Sequence, residues 1–217
     1  MTAGKSRSRP GRTCKRRRGE VVIGSIKPRK AALRARTVGD IDDELIATAH
    51  HEAGHLVAYL YAGVRPRRVS IVPARGWLGH TIVYDSWGIQ TIARTLGNLD
   101  DESQQMVRRA QRVRFERTVI ALLAGSLAEQ QITGRESAGS HEDHARAEFL
   151  IASFVEPGRE AGEYLAMLHL EAELLIRRLW RHVEAVAHEL LERRTIDDDA
   201  YFEDLEDALW RGLPPSR

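Results

Sequence analysis

One segment of the sequence has the apolar spacing of a buried helix and also carries ionisable side chains. Between about Asp42 and Tyr61, apolar residues recur three or four positions apart, as on one face of a helix; they are Ile46, Ala49, Ala53, Val57 and Leu60. The same segment contains His51, Glu52 and His55. A core helix can carry such groups inward only when they have polar partners or a metal ion. The segment is therefore expected to be a core helix that carries polar groups inward.

The spacing of these polar residues is typical of a zinc peptidase motif, His-Glu-x-x-His. Residues four apart lie on the same helix face, so the imidazoles of His51 and His55 can bind one metal ion. Zinc can lower the pKa of a bound water to near 7, and Glu52 could take its proton and pass it to a leaving amine. The alternative is a merely histidine-rich stretch that begins at His50.

A catalytic zinc site is expected to have a third protein ligand, with water in the fourth position. The continuation of the same helix offers none, because Ala58 and Tyr61 stand in that stretch. The third ligand must come from elsewhere in the chain. The candidates by chemistry alone are Glu116 and Glu129 on a following helix and the cluster of His141, Asp143 and His144. Spacing does not choose among them.

Basic and acidic residues divide the chain near residue 36. The basic arm, residues 1–36, holds thirteen Lys or Arg against one acid, a net charge of +12, whereas the body, residues 37–217, holds twenty Arg against thirty acids, a net charge of −10. Because its one apolar patch is Val21-Val22-Ile23, we expect the basic arm to be disordered alone. Its charge would suit nucleic acid or an anionic surface. A solubilising tail is the simpler alternative.

The body has the pattern of a mainly α (α+β) domain with one small antiparallel sheet. After the first helix, alternating β-branched residues predict a hairpin with strands at residues 68–72 and 78–84. Three helices are predicted next, at about residues 101–132, 141–155 and 159–193. A terminal helix follows, with Thr195 as its cap and Asp198 three residues on.

Composition excludes two classes of protein. The longest apolar runs fall well short of the roughly 18 residues that cross a bilayer, so no membrane-spanning helix is expected. A single cysteine, Cys14, excludes an internal disulfide framework and a cysteine-based zinc cluster. The lone cysteine favours a reducing compartment, and we expect a cytoplasmic protein.

Five segments, spread over about residues 40–210, have counterparts in the same order in one known family. They are Thr48–His55, Val69–Pro73 with Leu78–Thr81, Ile120–Glu129, Ser137–Ala147 and Leu190–Ile196. They resemble, in turn, the TAYHEAGH, VTIIPRG…LGYT, LLGGRAAEE, TTGAxNDLxxA and LLExET[LI] segments of the FtsH-type, membrane-anchored AAA+ zinc metalloproteases. The resemblance implies the peptidase domain of that family.

The resemblance also implies a role for particular residues. His51 and His55 would be zinc ligands, and Glu52 would be the general base. Asp143 would be the third ligand, because it matches the Asp of the family's NDL. Glu129 falls on a family glutamate, for which a hydrogen bond or salt bridge near the site is expected rather than ligation. Family members form rings through this domain, so self-association is implied as well.

The sequence also departs from the family pattern. It contains no GxxxxGK[ST] phosphate loop, no room for an ATPase domain and no transmembrane segment. Ala138 replaces a threonine, Glu142 replaces an asparagine and His144 replaces a leucine. The last two place extra titratable groups beside Asp143. The resemblance therefore implies the peptidase module without the ATP-driven unfoldase.

These observations together predict an ATP-independent zinc metalloendopeptidase that cleaves flexible or unfolded polypeptide. The edge of the hairpin, Leu78–Tyr84, could hold an extended substrate by strand addition, with Trp77 and Tyr84 as candidate pocket residues. Two alternatives remain. One is a weakly catalytic or inactive binding protein, which the basic arm could recruit to nucleic acid. The other is a module that works beside a separately encoded ATPase.

Overall fold

The computed structural model describes residues 20–23, 38–73, 78–84, 100–135, 140–155 and 158–212. Over these residues the chain is mainly helical with one small antiparallel sheet, which confirms the predicted fold class. The helices are α1 (Val38–Tyr61), α2 (Asp101–Thr133), α3 (Ser140–Ile151), α4 (Arg159–Arg193) and α5 (Asp199–Arg211). The strands are β1 (Glu20–Ile23), β2 (Pro66–Ser70), β3 (His80–Tyr84) and β4 (Thr195–Ile196).

Helix α1 is the centre of the molecule. Every residue from 48 to 60 is buried, because α2 and α4 pack along the helix and β2, β3 and α5 contact it as well. The sequence predicted one apolar face, but over this stretch the helix is enclosed on all sides. Polar residues of α1 are therefore held in the core, where each requires a partner.

Gly54 allows α1 and α2 to approach closely. A Cβ atom at this position would lie 2.5 Å from the carbonyl oxygen of Ala124 and 2.8 Å from Cβ of Ala128. Only glycine fits there without moving one of the two helices. This crossing brings the motif of α1 against the middle of α2, where the other small residues of that helix lie.

The long helices begin and end with the expected local signals. The side chain of Asp100 accepts a hydrogen bond from the backbone N–H of Ser103, and thereby caps α2. At the other end of α2, Gly134 adopts a left-handed conformation with φ of 67°. Helix α4 ends in a similar turn at Arg194, which has φ of 64°. The predicted bounds of α2 and α4 are confirmed to within one residue.

The sheet has the strand order β1-β3-β2-β4, and every pair is antiparallel. The predicted hairpin is confirmed as β2 and β3, although β2 begins two residues earlier, at Pro66. The prediction for Thr195 is wrong. Asp198 itself caps α5 by accepting from Ala200 N–H, while Thr195 lies in β4 and shares a hydrogen bond with Ser70.

Part of the basic arm, Glu20–Ile23, forms a strand that the sequence did not predict, while the expectation that the arm is disordered alone stays a prediction. These residues form β1, which pairs with β3 over four residues. The physical reason is that β3 has an outer edge with unpaired backbone groups, and the β-branched Val21, Val22 and Ile23 favour an extended chain there. The remainder of the basic arm lies outside the described residues, and so does the prediction that it contacts nucleic acid.

Helix α3 is shorter than predicted. It ends at Ile151, and a turn formed by Ala152, Ser153 and Phe154 replaces the last predicted turn of helix. Its first turn contains Glu142 and Asp143, as the sequence indicated. Because α3 packs mainly on α2, this first turn is placed beside the motif of α1.

Candidate metal centre

Three side chains that are far apart in sequence meet in the core. His51 and His55 project from α1 and are fully buried, and Asp143, in the first turn of α3, is 1% exposed. One ligand atom from each lies within 4.8 Å of the other two, so the group could hold a metal ion. The two histidines and the aspartate are those that the resemblance implied.

The three candidate ligand atoms form a small triangle. Nε2 of His55 lies 3.0 Å from Nε2 of His51 and 3.2 Å from Oδ2 of Asp143. The third side, from Nε2 of His51 to Oδ2 of Asp143, is 3.3 Å. Two ligand atoms at the bond lengths and tetrahedral angle of zinc lie about 3.3 Å apart. The size of the triangle therefore fits an ion with the ligand distances of zinc.

The outer nitrogens of both imidazoles have acceptors. Nδ1 of His55 lies 2.8 Å from the carbonyl oxygen of Ala121, which can only accept, so this nitrogen carries a hydrogen atom. Nδ1 of His51 lies 2.9 Å from Oε2 of Glu129 and donates to it. In the neutral imidazoles, both Nε2 atoms then present lone pairs to each other and to the carboxylate. Such an arrangement needs a cation at its centre.

A proton is the cation available to the metal-free protein. Burial alone lowers the pKa of His51, but its hydrogen bonds to Asp143 and Glu129 raise that pKa to about 10. For Asp143, burial opposes ionisation, whereas His55 and the hydrogen bond from His51 hold the pKa of its carboxyl below the ordinary value. Asp143 is therefore charged, and its Oδ1 atom is buried without a hydrogen-bond partner among the described residues.

Gly125 of α2 shapes the wall of the group. A Cβ atom at Gly125 would lie 2.5 Å from Cε1 of His55, inside the imidazole's van der Waals surface. The backbone of α2 thus packs directly on the ring, and the neighbouring Ala121 carbonyl fixes its orientation. These contacts depend on the close crossing of α1 and α2.

Glu52 is a second buried carboxylate at the same place. It is fully buried, and its Oε2 accepts a hydrogen bond of 2.8 Å from the hydroxyl of Thr81 in β3. Gly79 packs on it, since a Cβ there would lie 2.8 Å from Oε1 of Glu52. Burial raises the pKa of Glu52, while His51, His55 and the Thr81 hydroxyl oppose that rise. The carboxylate is thus held next to the triangle and made more basic.

The other candidate ligands are not part of the triangle and have different contacts. Glu116 pairs with Arg112 and Tyr164 instead. Glu129 contacts the outer nitrogen of His51, so it supports a candidate ligand, as the resemblance implied. His141 and His144 are exposed, and Glu142 pairs with Arg146.

The predicted pocket residues and His50 are the last of the sequence candidates. Trp77 and the side chain of Tyr84 lie outside what the structure describes. His50 stacks on Trp180 of α4 at a centroid distance of 5.7 Å and is not part of the triangle. Sequence reasoning assigned no role to Thr81 or Gly125; the only signal was that both lie in segments of the resemblance.

Comparison with models of known protein families and with curated proteins finds no match to this chain. The family resemblance therefore stays a prediction. None of the helices in the described residues is long and apolar enough to cross a membrane. What the fold and the site define is a mainly α protein with a buried His-His-Asp group that could hold a metal ion beside a buried glutamate.

Proposed function

We propose that this protein is a zinc-dependent endopeptidase that needs no ATP and acts on flexible or unfolded polypeptide. The observation that carries the proposal is the position of Glu52 beside three converging ligand atoms, those of His51, His55 and Asp143. Two imidazoles and one carboxylate suit zinc, and three protein ligands leave a coordination position open, which is typical of catalytic sites. The likeness to FtsH-type peptidase segments supports the same proposal.

The residues of the chain have distinct roles in this reaction. His51, His55 and Asp143 would hold zinc, with Glu129 and the Ala121 carbonyl fixing the two imidazoles. Bound zinc would supply a Lewis acid and lower the pKa of a coordinated water to near 7.

Glu52 would take the proton from the attacking water at a carboxylate oxygen and later donate it to the nitrogen of the departing amine. The raised pKa of Glu52 suits a group that accepts and then returns a proton. Thr81 donates to Oε2 and so holds the carboxylate in one orientation. Burial of the group keeps bulk water from competing for this proton.

The strand that contacts Glu52, β3, indicates the substrate class. Thr81 of β3 donates to Glu52, and Gly79, just before that strand, packs on the same carboxylate, so the outer edge of β3 is the proposed place of the substrate. An extended polypeptide could pair along it and pass its peptide bonds near Glu52. That β1 pairs antiparallel at this edge supports the proposal, because the edge accepts an extended chain.

The decisive experiment is the substitution Glu52→Gln. We expect hydrolysis of an unfolded polypeptide such as casein to be abolished while about one zinc ion per chain remains bound, because Gln cannot accept a proton. The matched control is Glu189→Gln, the same chemical change at a carboxylate that pairs with Arg193 near the end of α4. Full activity in the Glu52→Gln variant would contradict the mechanism.

The metal is tested separately with Asp143→Ala. Zinc content measured by elemental analysis should fall from about one ion per chain to well below it, because two histidines alone leave the site incomplete. No zinc in the wild-type protein after supplementation would contradict the proposed cofactor. A weakly catalytic binding protein would then be the leading function.

A further inference from the structure

The outer edge of β3 is already filled by the chain's own N-terminal segment. Strand β1 runs antiparallel to β3, with Glu20 opposite Tyr84 and Ile23 opposite Thr81. Thr81 is the residue whose hydroxyl donates to Glu52. The C-terminal end of β1 is therefore the end next to the candidate catalytic carboxylate.

The other edge of β3 is also occupied. Strand β2 pairs with β3 from Pro66 to Ser70, so β3 has a neighbour on each side within the described sheet. A strand offers only two edges, and each can pair with one chain at a time. An incoming polypeptide can therefore pair with β3 next to Glu52 only when β1 has left.

We propose that β1 is a built-in competitor at the polypeptide-binding edge of β3, so that residues 20–23 restrain access to the site until a polypeptide displaces them. This inference rests on the proposed function, because it assigns the edge of β3 to the substrate. It assigns residues 20–23 a role at the proposed peptidase site, in addition to any binding of a partner by the rest of the basic arm.

The attachment of β1 is suited to displacement. Among the described elements, β3 is the only one with which β1 makes extensive contact. The described core residues lie mostly on α1, α2 and α4. A strand that pairs with its neighbour over only four residues can open locally without global unfolding.

Strand β1 is an effective competitor despite its small size, because it belongs to the same chain as β3. Its pairing with β3 is intramolecular, and its effective concentration can therefore exceed that of a separate polypeptide. A polypeptide at lower concentration therefore competes only when it pairs over a longer stretch or binds more tightly than β1.

The first test replaces Val21 and Val22 together with proline in the full chain. Hydrogen-bonded pairs alternate along an antiparallel ladder, so one of these two adjacent residues donates to β3, and proline removes that donor. If β1 fills the edge in nine molecules of ten, freeing the edge should lower KM for casein about tenfold with kcat unchanged. The control, Ser6→Pro with Ser8→Pro, carries the same two prolines upstream of β1 and should leave KM unchanged.

The second test holds β1 in place. Val22 and Ile82 are opposite one another in the register, so Val22→Cys with Ile82→Cys, in a Cys14→Ser background, permits a disulfide across the two strands. In the oxidised form we expect casein hydrolysis to fall at least tenfold. Reduction in the presence of zinc should restore it, which a misfolded variant would not do.

A binding measurement separates this inference from the proposed function. The dissociation constant of fluorescein-labelled casein is measured in Glu52→Gln chains that also carry the double-proline or the cysteine substitutions. Tighter binding to the double-proline chain and weaker binding to the oxidised cysteine chain would support the inference. This holds even if no chain hydrolyses casein, a result that would contradict the peptidase proposal but not the inference. Hydrolysis that depends on Glu52 but is indifferent to both β1 variants would overturn the inference alone. If casein neither binds nor is cleaved, both fail.

Discussion

Gly125 shapes the candidate metal group because it has no side chain. The His55 ring lies where a Cβ would be, and the same stretch of α2 offers the Ala121 carbonyl that fixes the ring. A side chain at position 125 would force the imidazole away from Asp143 or push α1 and α2 apart. The site therefore depends on the backbone of α2 as directly as on its three candidate ligands.

The substitution Gly125→Ala should remove the metal ion. The added methyl group overlaps the His55 imidazole, so we expect zinc content to drop well below one ion per chain and thermal stability to fall. Gly162→Ala is the control, since a Cβ at this position of α4 meets nothing within 4 Å. That change should be neutral or should stabilise by about 0.4–1 kcal/mol. Normal zinc content in Gly125→Ala would contradict the close packing of the α2 backbone on the His55 ring.

Substitution of Glu129 tests whether a hydrogen bond to the candidate ligand His51 affects metal affinity. Replacing it with Ala removes the acceptor for Nδ1 of His51, and loss of such a partner typically weakens metal binding about 10–100-fold. Glu129→Gln keeps an oxygen acceptor and should lose much less. Competition with a chromogenic chelator measures both affinities. Equal affinity in the Ala variant and the wild type would show that His51 is oriented by other contacts.

At the residue scale, the sequence predicted the part of the site that lies on one helix. His51 and His55 are one turn apart, so their common face follows from helix geometry. Asp143, 92 residues from His51, was one candidate among several until the resemblance selected it. The contacts of Gly125 and Thr81 could not be predicted, because they depend on how α2 and β3 cross α1.

At the scale of elements, the crossing of α1 and α2 at Gly54 is the critical contact. The Cβ of an alanine would meet the backbone oxygen of Ala124 at 2.5 Å, and backbone cannot give way locally. We expect Gly54→Ala to lower the free energy of unfolding by about 1–3 kcal/mol. Urea denaturation measures this as a lower midpoint, with Gly162→Ala, which should leave the midpoint unchanged or raise it, as the control. An unchanged midpoint would mean that the helices can separate without cost.

The elements differ in how well the sequence predicted them. Helices α2 and α4 were predicted almost to the residue because Asp100 and Gly134 are local signals that belong to the helix itself. Strands β1 and β4 were missed. Each is short and becomes a strand only by pairing with a neighbour far away in sequence, as Ile196 does with Val69. No local pattern records such a pairing.

At the scale of the whole molecule, a bound metal ion would join α1 to α3 and stabilise the core. An ion present at about 1,000 times its dissociation constant stabilises the fold by roughly 4 kcal/mol. For a domain of this size, this corresponds to roughly 8–16 °C in Tm. We therefore expect a chelator to lower Tm by that amount and added zinc to restore it. Differential scanning calorimetry measures the shift.

The control for this measurement is Asp143→Ala, whose Tm should not respond to zinc or to chelator. Loss of a ligand removes the linkage between metal binding and folding, while the protein otherwise keeps α1 and its packing partners. A wild-type Tm that is the same with and without chelator would contradict a metal ion in the core.

The distance of 92 residues between His51 and Asp143 also determines when the group can first form during synthesis. At about 5–20 residues per second, a ribosome completes Asp143 roughly 5–20 s after His51. Helix α4, which covers α1, is made later still. Until then the nascent chain holds two histidines and a glutamate on a helix that lacks its third candidate ligand and one of its two long packing partners. Loading of the proposed zinc ion would consequently follow the synthesis of Asp143 and α4, and a cell short of zinc would then accumulate chains whose His-His-Asp group holds no metal.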